Sequence, residues 1–399
     1  MVIREFYLSK VRPFINKDVV KVLVGMRRSG KSTLLKQIRD ELAKRGAPAK
    51  NIILMNFESE ALAPLRQDRA LYHHIRSLAS DADGRLYLLF DEIQIVEAWE
   101  RCVNSLRVDI DCDIYLTGSN AQLLAGELAT LLAGRYVSFE VMPFSFREFL
   151  LAAPDIAPRD AFDLYRVFGG MPFLPQIGFD PESSLAYLSD VYNSIVLKDI
   201  VARHALRDVE QLDRIVRYLF SEAGMTLSVK NIVNLLFNGR IGISRDTIYR
   251  YLNACEDALL LTRVKRKDVI GKELLRAAEK VYLTDIGMRE ALLGTNQTRV
   301  NLVFENIVAN ELRHRGYRIY IGKLGKREVD FVAERHGTTI YVQVAYLLAT
   351  DEIVRREFAA LQDIPDNFAK YVVSADEVDF SQNGIRHQNI RDFLLLDEY

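Results

Sequence analysis

A short glycine-containing segment near the N-terminus constrains the fold more than any other part of the chain. The mainly apolar run VVKVLV is followed by Gly25-Met-Arg-Arg-Ser-Gly30-Lys31-Ser32 and then by a helical pattern, TLLKQIRDELAKRG. This spacing fits the P-loop pattern G-x-x-x-x-G-K-[ST]. Its glycines let backbone N–H groups point inward, and the helix start adds the positive end of its dipole. The segment therefore predicts a phosphate-binding turn after a buried strand; the alternative is an ordinary strand-to-helix turn that contains glycine.

The residues of this turn have expected roles toward a nucleoside triphosphate. Lys31 should reach the β- and γ-phosphates, and Ser32 should hold Mg²⁺. The residues predicted to bind the nucleotide are Gly25, Arg27, Arg28, Ser29, Gly30, Lys31, Ser32 and Thr33. The cofactors predicted from this segment are ATP and Mg²⁺.

A second apolar strand, RLYLLFDEIQ, ends in two adjacent acids. We expect Asp91 to coordinate Mg²⁺, mostly through water, and Glu92 to polarise the attacking water. Phosphoryl transfer needs mainly positioning and charge neutralisation, and such a pair supplies both. The alternative is an acid pair that faces solvent.

The next strand, DIYLTGSN, should lie beside Asp91 in the sheet with its polar end, Thr117 to Asn120. Asn120 is predicted to contact the γ-phosphate and the lytic water, with Ser119 as the alternative. Either residue would also serve as a helix N-cap. The helical pattern AQLLAGELATLLAGR then ends at Arg135, which is either an arginine finger for a neighbouring subunit or part of a structural ion pair. Strands alternating with helices predict a doubly wound α/β fold with a parallel sheet.

From about residue 208 the pattern changes to three amphipathic helices and a β-hairpin, which predicts a winged helix. Ser244 or Asp246 is expected to cap the third helix. Between Arg263 and Lys280 lie seven basic and three acidic residues, a local patch that favours phosphate contacts. The whole chain, with 53 basic and 54 acidic residues, does not have the charge of a general polyanion binder. A protein-docking module and an ordinary solvated surface remain the alternatives. The third helix should present Arg245, Asp246, Thr247, Arg250 and Tyr251.

The tail has the order helix, three strands, helix, strand, which resembles the restriction-endonuclease-like PD-(D/E)XK fold. In that group two carboxylates hold Mg²⁺ and a lysine positions water. Glu305, Asp330 and Gln343 fall where the helix acid, the strand aspartate and the Glu of Glu-x-Lys would lie, and Ala345 stands in place of the lysine. A glutamine oxygen is able to bind Mg²⁺ but carries no charge.

We therefore expect a former nuclease site that binds rather than cuts. One alternative is active metal-dependent cleavage, with Lys370 or Arg356 supplying the missing cation. The other is an α/β tail unrelated to nucleases.

The motifs together resemble an AAA-type ATPase family of bacteria and archaea, similar to the archaeal-type ATPases of the P-loop group. The resemblance is carried in the first part by GMRRSGKSTLL, LLFDEIQ, LTGSNAQLL, LAGR and PFSFREFL. It continues with VFGGMPFLP, LTDIGMREALL, FENIVANEL, REVDFV and YVQVAYLL, which correspond to the family's C-terminal domain of unknown function. The resemblance implies ATP hydrolysis with Mg²⁺. The expected domains are an ATPase core at 1–150, a helical lid at 151–205, a winged helix at 206–292 and a nuclease-like domain at 293–399.

Cellular location is predicted from cysteine use and from the lack of long apolar runs. Cys102, Cys112 and Cys255 fit no zinc or disulfide pattern and indicate reduced thiols in the cytoplasm. Charged residues near the start, Arg4 and Glu5 among them, argue against a signal peptide. No apolar run approaches the roughly 20 residues needed to span a bilayer, so no membrane partner is expected.

The sequence thus predicts an ATP-hydrolysing AAA-type enzyme that couples turnover to nucleic-acid binding by its C-terminal half. The expected partners are ATP, DNA, and further copies of the chain or another protein. The alternatives are an ATP-gated, metal-dependent DNA nuclease and a regulatory ATPase whose C-terminal half docks proteins.

Overall fold

The computed structural model describes most of the chain. The described residues are 2–119, 132, 134–204, 206, 208–237, 243–294 and 299–399. They form two compact units, of which the first contains Met1–Met142 with Asp257–Leu259, and the second Pro143–Glu256 with Leu260–Tyr399.

The first unit is built on a five-stranded sheet in the order β2-β3-β4-β1-β5. Its strands are β1 (Val20–Val24), β2 (Ile52–Asn56), β3 (Leu86–Asp91), β4 (Cys112–Gly118) and β5 (Tyr136–Glu140). Its helices are α1 (Glu5–Val11), α2 (Lys31–Lys44), α3 (Asp68–Ser80) and α4 (Trp99–Asp109), with short 3₁₀ turns between elements. All neighbouring strands pair in parallel.

Successive side chains of a strand point to opposite faces of the sheet, and helices cover both faces. Leu23, Leu89 and Tyr115 pack with the apolar residues of α1 and α2 on one face. Val22 and Leu88 pack with those of α3 and α4 on the other. The prediction of a doubly wound parallel α/β sheet is therefore confirmed.

The second unit holds a seven-stranded mixed sheet in the order β12-β11-β10-β9-β8-β6-β7. Its strands are β6 (Leu261–Asp268), β7 (Leu274–Leu283), β8 (Arg318–Leu324), β9 (Arg327–Arg335), β10 (Thr338–Val344), β11 (Ala369–Ser374) and β12 (Arg386–Asn389). Its first helices are α5 (Phe146–Ala152), α6 (Pro158–Phe168) and α7 (Pro181–Ser194), which continues through a π-helix (Ile195–Val201) into the short helix Ala202–His204. The others are α8 (Val209–Ser221), α9 (Val229–Phe237), α10 (Arg245–Asp257), α11 (Gly287–Leu293), α12 (Val300–His314), α13 (Asp351–Gln362) and α14 (Ile390–Leu395).

The elements predicted for the winged helix are all present as α8, α9, α10 and the β6–β7 hairpin. Ser244 caps α10, since its Oγ accepts a 3.1 Å hydrogen bond from the N–H of Thr247. The hairpin, however, belongs to the large sheet, because β6 pairs in parallel with β8. The sheet thus continues across the expected boundary at 292, and the division of this half into domains stays a prediction.

The predicted order of the tail is also found, as α12, β8, β9, β10, α13 and β11. His336 and Gly337 join β9 to β10, and both residues have positive φ, 49° and 83°. This order alone does not establish a nuclease fold.

A glycine pair after α6 packs against a buried acid. Gly169 has φ +73°, and a Cβ on it would lie 2.3 Å from Asp285 Oδ1. The N–H of Gly170 donates a 2.8 Å hydrogen bond to Asp285 Oδ2. Gly169 and Gly170 thus let the chain turn sharply against Asp285 after α6.

No helix in the described part of the chain is long and apolar enough to cross a membrane. Cys102 and Cys255 are buried free cysteines, and Cys112 is a partly buried one.

Candidate nucleotide site and acidic centre

The candidate nucleotide site lies at the carboxyl ends of three neighbouring strands. In the sheet β4 stands between β1 and β3, with Val24 opposite Gly118 and Phe90 opposite Leu116. This register places the residue after Leu116, Thr117, beside Asp91. The carboxyl ends of parallel strands are the usual binding edge of such a sheet.

The turn between β1 and α2 curls tightly around its own backbone. Gly30, at φ +97°, precedes α2 in a left-handed conformation that suits glycine. A side chain at Gly25 would come within 2.3 Å of the Val141 carbonyl oxygen, so that position also requires glycine. The Lys31 ammonium donates to the carbonyls of Gly25 and Met26, at 2.9 and 3.1 Å. The lysine therefore lies folded over the loop whose phosphate-binding role the sequence predicts.

Asp91 is the centre of the polar contacts. Its Oδ1 accepts hydrogen bonds from Ser32 Oγ at 3.1 Å and from Thr117 Oγ1 at 2.6 Å. Burial raises the pKa of Asp91, while the two hydroxyl hydrogen bonds oppose the rise. Ser32 and Asp91, both predicted to hold Mg²⁺, are thus brought together.

Glu92 is held in an unusual backbone conformation. Its φ is +54°, in the left-handed region, and its N–H donates a 2.9 Å hydrogen bond to Thr117 Oγ1. Its carboxylate accepts from Gln94 Nε2. The side chain is largely buried and follows Asp91 directly at the end of β3.

The other predicted site residues have varied positions. Arg27 lies 3.6 Å from Glu58, and Arg28 is exposed with φ +68°. Ser29 Oγ is buried without a hydrogen-bond partner in the described structure. Thr33 is partly buried in the first turn of α2.

The two residues predicted from β4 and the segment after it have different outcomes. Asn120 lies outside the described residues. Arg135 is exposed just before β5. Within the part of the chain that the structure describes, no ion pair of Arg135 is found. Their roles stay predictions.

Two further residues contact the site. The sequence places Thr117 beside Asp91 but assigns it no role, and the strand register of β3 and β4 sets it there. Arg4 is 1% exposed, and its guanidinium donates a 3.0 Å hydrogen bond to the carbonyl of Ser29 in the turn. It lies over the Tyr7 ring, 4.5 Å from the ring centroid. A lone arginine near the start of a sequence gives no signal of such a contact.

The donor set fits a magnesium nucleotide. Magnesium prefers oxygen ligands, and Ser32 Oγ and Asp91 Oδ1 already lie in contact. Among the residues that the structure describes, Ser29 Oγ is a buried polar atom without a hydrogen-bond partner, and the start of α2 offers backbone N–H groups that a helix leaves unpaired.

The second unit contains a buried group of charges around Lys280 of β7. Its Nζ lies 2.8 Å from Glu305 Oε1, 2.9 Å from Glu328 Oε1 and 3.9 Å from Asp330 Oδ1. The hydroxyl of Tyr282 also donates to Glu305 Oε1. We call these five residues the acidic centre; it joins β7, α12 and β9.

Gln343 is tied to the neighbouring residues of the sheet and α13. Its Oε1 accepts a 3.2 Å hydrogen bond from the N–H of Asp330, and its Nε2 donates to Glu357 Oε2 at 2.8 Å. The N–H of Val344 donates to Asp330 Oδ2 at 2.8 Å. The three predicted residues Glu305, Asp330 and Gln343 are therefore close together, as expected.

The pKa values in the acidic centre follow from burial and from the excess of carboxylates. Burial, and next the carboxylate of Glu305, raise the pKa of Asp330 well above its usual range, against the effect of Lys280. Burial alone would lower the pKa of Lys280, but Glu305, Asp330 and Glu328 together hold it above its ordinary value. The lysine is thus a cation at neutral pH.

The cation near Asp330 is neither of the two that the sequence suggested. Lys370 lies 3.7 Å from Asp366, and the largely exposed Arg356 pairs with Glu357 at 2.6 Å. Lys280 was assigned to the hairpin patch instead, because its contacts with Glu305 and Asp330 cross 25 and 50 residues of sequence. Lys280 and Tyr282 are two apart and therefore point to the same side of β7, which was the available signal.

Much of the predicted basic patch is also neutralised within the protein. Arg263 pairs with Glu256, Arg266 with Glu328 and Lys267 with Glu334. The exposed cations of this region include Arg245, Arg250, Lys265 and Lys272. The surface available for phosphate contacts is therefore smaller than the sequence indicates.

The sheet order, the glycine turn after β1 and the acid pair after β3 define a P-loop ATPase domain. Residues 17–150 match the model of an AAA domain, and residues 159–299 match a domain of unknown function, DUF8612.

Relatives in two organisms cover most of the chain. An uncharacterized protein of Haemophilus influenzae is 36% identical over 400 residues, 99% of each chain. An uncharacterized protein of Methanocaldococcus jannaschii is 29% identical over 364 residues, 86% of this chain and 79% of that one. The chain therefore belongs to the same family as the Haemophilus influenzae protein, with an AAA-type ATPase domain in its first part.

Among solved structures, DnaA from Aquifex aeolicus with bound AMPPCP is similar over 64% of this chain and 89% of that one, with 14% identity and a TM-score of 0.35. A likeness at this score carries no conclusion about function or partners.

Proposed function

We propose that the protein binds and hydrolyses ATP with Mg²⁺ in its first unit. The observation that carries this proposal is the contact between Ser32 Oγ and Asp91 Oδ1, 3.1 Å, at the carboxyl ends of β1 and β3. It joins the P-loop helix to the acid pair, the two parts that phosphoryl transfer requires in such proteins.

Each residue has a task that follows from its chemistry. Gly25 to Thr33 would hold the phosphates with backbone N–H groups and with the ammonium of Lys31, which neutralises charge. Ser32 and Asp91 would hold Mg²⁺, which when bound neutralises phosphate charge. Glu92 would accept a proton from, or orient, the attacking water. Asn120 and Arg135 are proposed to contact the γ-phosphate, Arg135 from a neighbouring copy.

Two substitutions test this assignment, one through ATP binding and the other through ATP hydrolysis. Lys31→Ala should abolish ATP binding, because it removes the ammonium that faces the phosphates. Glu92→Gln should bind ATP and stall hydrolysis, because the amide retains the shape but not the basicity. Nucleotide binding and phosphate release are measured for both, with Lys36→Ala on the exposed side of α2 as the control. Unchanged turnover in both variants would sink the assignment.

We further propose that ATP turnover is coupled to nucleic-acid binding by the C-terminal half. What supports this is the set of helices α8 to α10 with a hairpin and the exposed cations Arg245, Arg250, Lys265 and Lys272. DNA should then stimulate ATP hydrolysis. If neither single- nor double-stranded DNA stimulates it, the protein-docking alternative is favoured. Measuring phosphate release with and without single- and double-stranded DNA makes this distinction.

A further inference from the structure

We propose that Lys280 takes the place of a divalent cation in the acidic centre, which is therefore a metal-independent ion cluster and not a nuclease site. This inference goes beyond the proposed ATP hydrolysis and does not depend on it. It rests on the described contacts of Lys280, Glu305, Asp330 and Gln343.

The first argument is the position of the ammonium. A metal bridging the helix acid and the strand aspartate would have to lie between Glu305 and Asp330. Lys280 Nζ is already there, 2.8 Å from Glu305 and 3.9 Å from Asp330. A divalent cation at the same place would be repelled by the ammonium at close range in a buried site, where charges interact strongly.

The second argument is that the ligand oxygens are already bonded. Glu305 Oε1 accepts from both Lys280 and Tyr282. Asp330 Oδ2 accepts from the N–H of Val344, and Gln343 Oε1 accepts from the N–H of Asp330. A magnesium ion needs near-octahedral oxygen ligands at about 2.0–2.1 Å, so an ion on these same oxygens would have to compete with the donors that they already hold.

The third argument is the arrangement of acids in space. Over the described part of the chain, no group of three or more His, Cys, Asp or Glu side chains is placed to hold a metal ion. Yet Glu305, Glu328 and Asp330 all approach one lysine. They are arranged around an ammonium, and Arg266, 2.6 Å from Glu328, supplies further positive charge.

The consequence is mechanical. Lys280 and Tyr282 belong to the hairpin predicted as a wing, whereas Glu305 and Asp330 belong to the tail. Their ion cluster is buried, and breaking one side of such a cluster leaves an unpaired charge. The ion pairs of Lys280 thus fix the hairpin to the tail.

Binding of Mn²⁺ to the full-length protein tests the proposal. All variants carry Asp91→Asn, so that the metal position of the first unit adds no signal. In the protein that retains Lys280, we expect no Mn²⁺ at the acidic centre, so adding Asp330→Asn should leave Mn²⁺ binding unchanged. Lys280→Ala should gain one Mn²⁺ per chain, bound about tenfold or more tightly than any in its parent, and the added Asp330→Asn should abolish this gain. Free Mn²⁺ is measured by electron paramagnetic resonance.

The matched control is Lys272→Ala, an exposed lysine of the same hairpin, which should gain nothing. Lys280→Met retains the length of the aliphatic chain and replaces Lys280→Ala if that variant fails to fold. Two results would overturn the proposal. One is Mn²⁺ binding that requires Asp330 in the protein that retains Lys280, and the other is metal-dependent DNA cleavage that Asp330→Asn abolishes. A folded Lys280 variant that binds no more Mn²⁺ than the control would also overturn it. The titration with Lys280 intact is decisive even if neither variant folds.

Discussion

Thr117 Oγ1 donates a 2.6 Å hydrogen bond to Asp91 Oδ1 and accepts one of 2.9 Å from the N–H of Glu92. A single hydroxyl on β4 therefore orients two consecutive residues at the end of β3. Glu92 needs this support, because a non-glycine residue at φ +54° is strained by about 1–3 kcal/mol. We infer that Thr117 is a positioning residue for the acid pair.

Replacing Thr117 by valine should slow ATP hydrolysis by about 100-fold, since small misplacements of catalytic groups cost that much. Valine has the same shape but neither donates to Asp91 nor accepts from Glu92. ATP affinity should change by less than about threefold, because the phosphate-binding turn is untouched. Steady-state kinetics with a separate nucleotide-binding titration measure the two effects.

Thr117→Ser is the matched control and should restore most of the rate, because serine keeps the hydroxyl. Equal rate reductions in the valine and serine variants would assign the effect to packing. An unchanged rate in Thr117→Val would show that the hydroxyl does not position the acids.

Arg4 should matter for nucleotide affinity although it lies far from the P-loop in sequence. Its guanidinium is buried and donates to the carbonyl of Ser29 at 3.0 Å. A hydrogen bond from a charged group contributes about 1.5–3 kcal/mol, so Arg4→Ala should weaken ATP binding by about tenfold or more. A fluorescent ATP analogue measures the affinity, and circular dichroism shows that the variant is folded.

The control for Arg4 is Arg39→Ala, which removes an exposed arginine paired with its neighbour Asp40. It should leave nucleotide affinity unchanged. If Arg4→Ala is folded and binds ATP as the wild type does, the contact with Ser29 does not shape the phosphate site.

The sequence was most informative where short-range patterns decide the structure. The glycine spacing before Lys31 requires a particular backbone, and strands that alternate with helices predict a parallel sheet covered on both faces. The sequence also places Thr117 beside Asp91, but its hydrogen bonds to Asp91 and Glu92 depend on the exact strand register. Arg4 could not be placed, because its contact with Ser29 is made by tertiary packing alone.

The tail shows more clearly which contacts the sequence alone does not predict. The order of helices and strands around Asp330 and Gln343 was correctly predicted from periodicity and turns. The sequence pattern points to a cation within this segment, near Ala345, because the Glu-x-Lys motif lies along a single strand. The structure supplies Lys280 from an earlier hairpin, which the pairing of β6 with β8 joins to this sheet.

The buried carboxyl group of Asp285 should make the free energy of unfolding depend on pH. Burial raises its pKa from 3.8 to about 6, against hydrogen bonds from Gly170, Gly287 and Met288. Between these two values the folded protein keeps the proton and the unfolded chain has released it. This group therefore makes the free energy of unfolding fall as pH rises from about 4 to 6, by on the order of 2–3 kcal/mol, with no further change above.

Asp285→Asn removes this titration, so the difference in stability between wild type and variant should shrink as pH rises through that window. Urea unfolding at several pH values measures it. Asp180→Asn is the control of opposite sign, because hydrogen bonds from Ser183 lower the pKa of Asp180, and its contribution disappears as pH falls. A wild type and Asp285→Asn that differ by a constant amount would contradict the assignment.

The exposed lysines of the β6–β7 hairpin should carry part of any DNA affinity. Lys265 and Lys272 are exposed, whereas Arg263 and Lys267 are held by carboxylates. Removing one phosphate contact reduces the slope of log affinity against log salt by about 0.9. Replacing both lysines by glutamine should therefore flatten the slope by about 2, measured by fluorescence anisotropy with a labelled duplex.

The control replaces Lys36 and Lys44, two exposed lysines of α2, by glutamine. It removes the same charge elsewhere and should leave the slope unchanged. Equal slopes in both double variants would mean that the hairpin does not touch phosphates, and would favour a protein partner for this half of the chain.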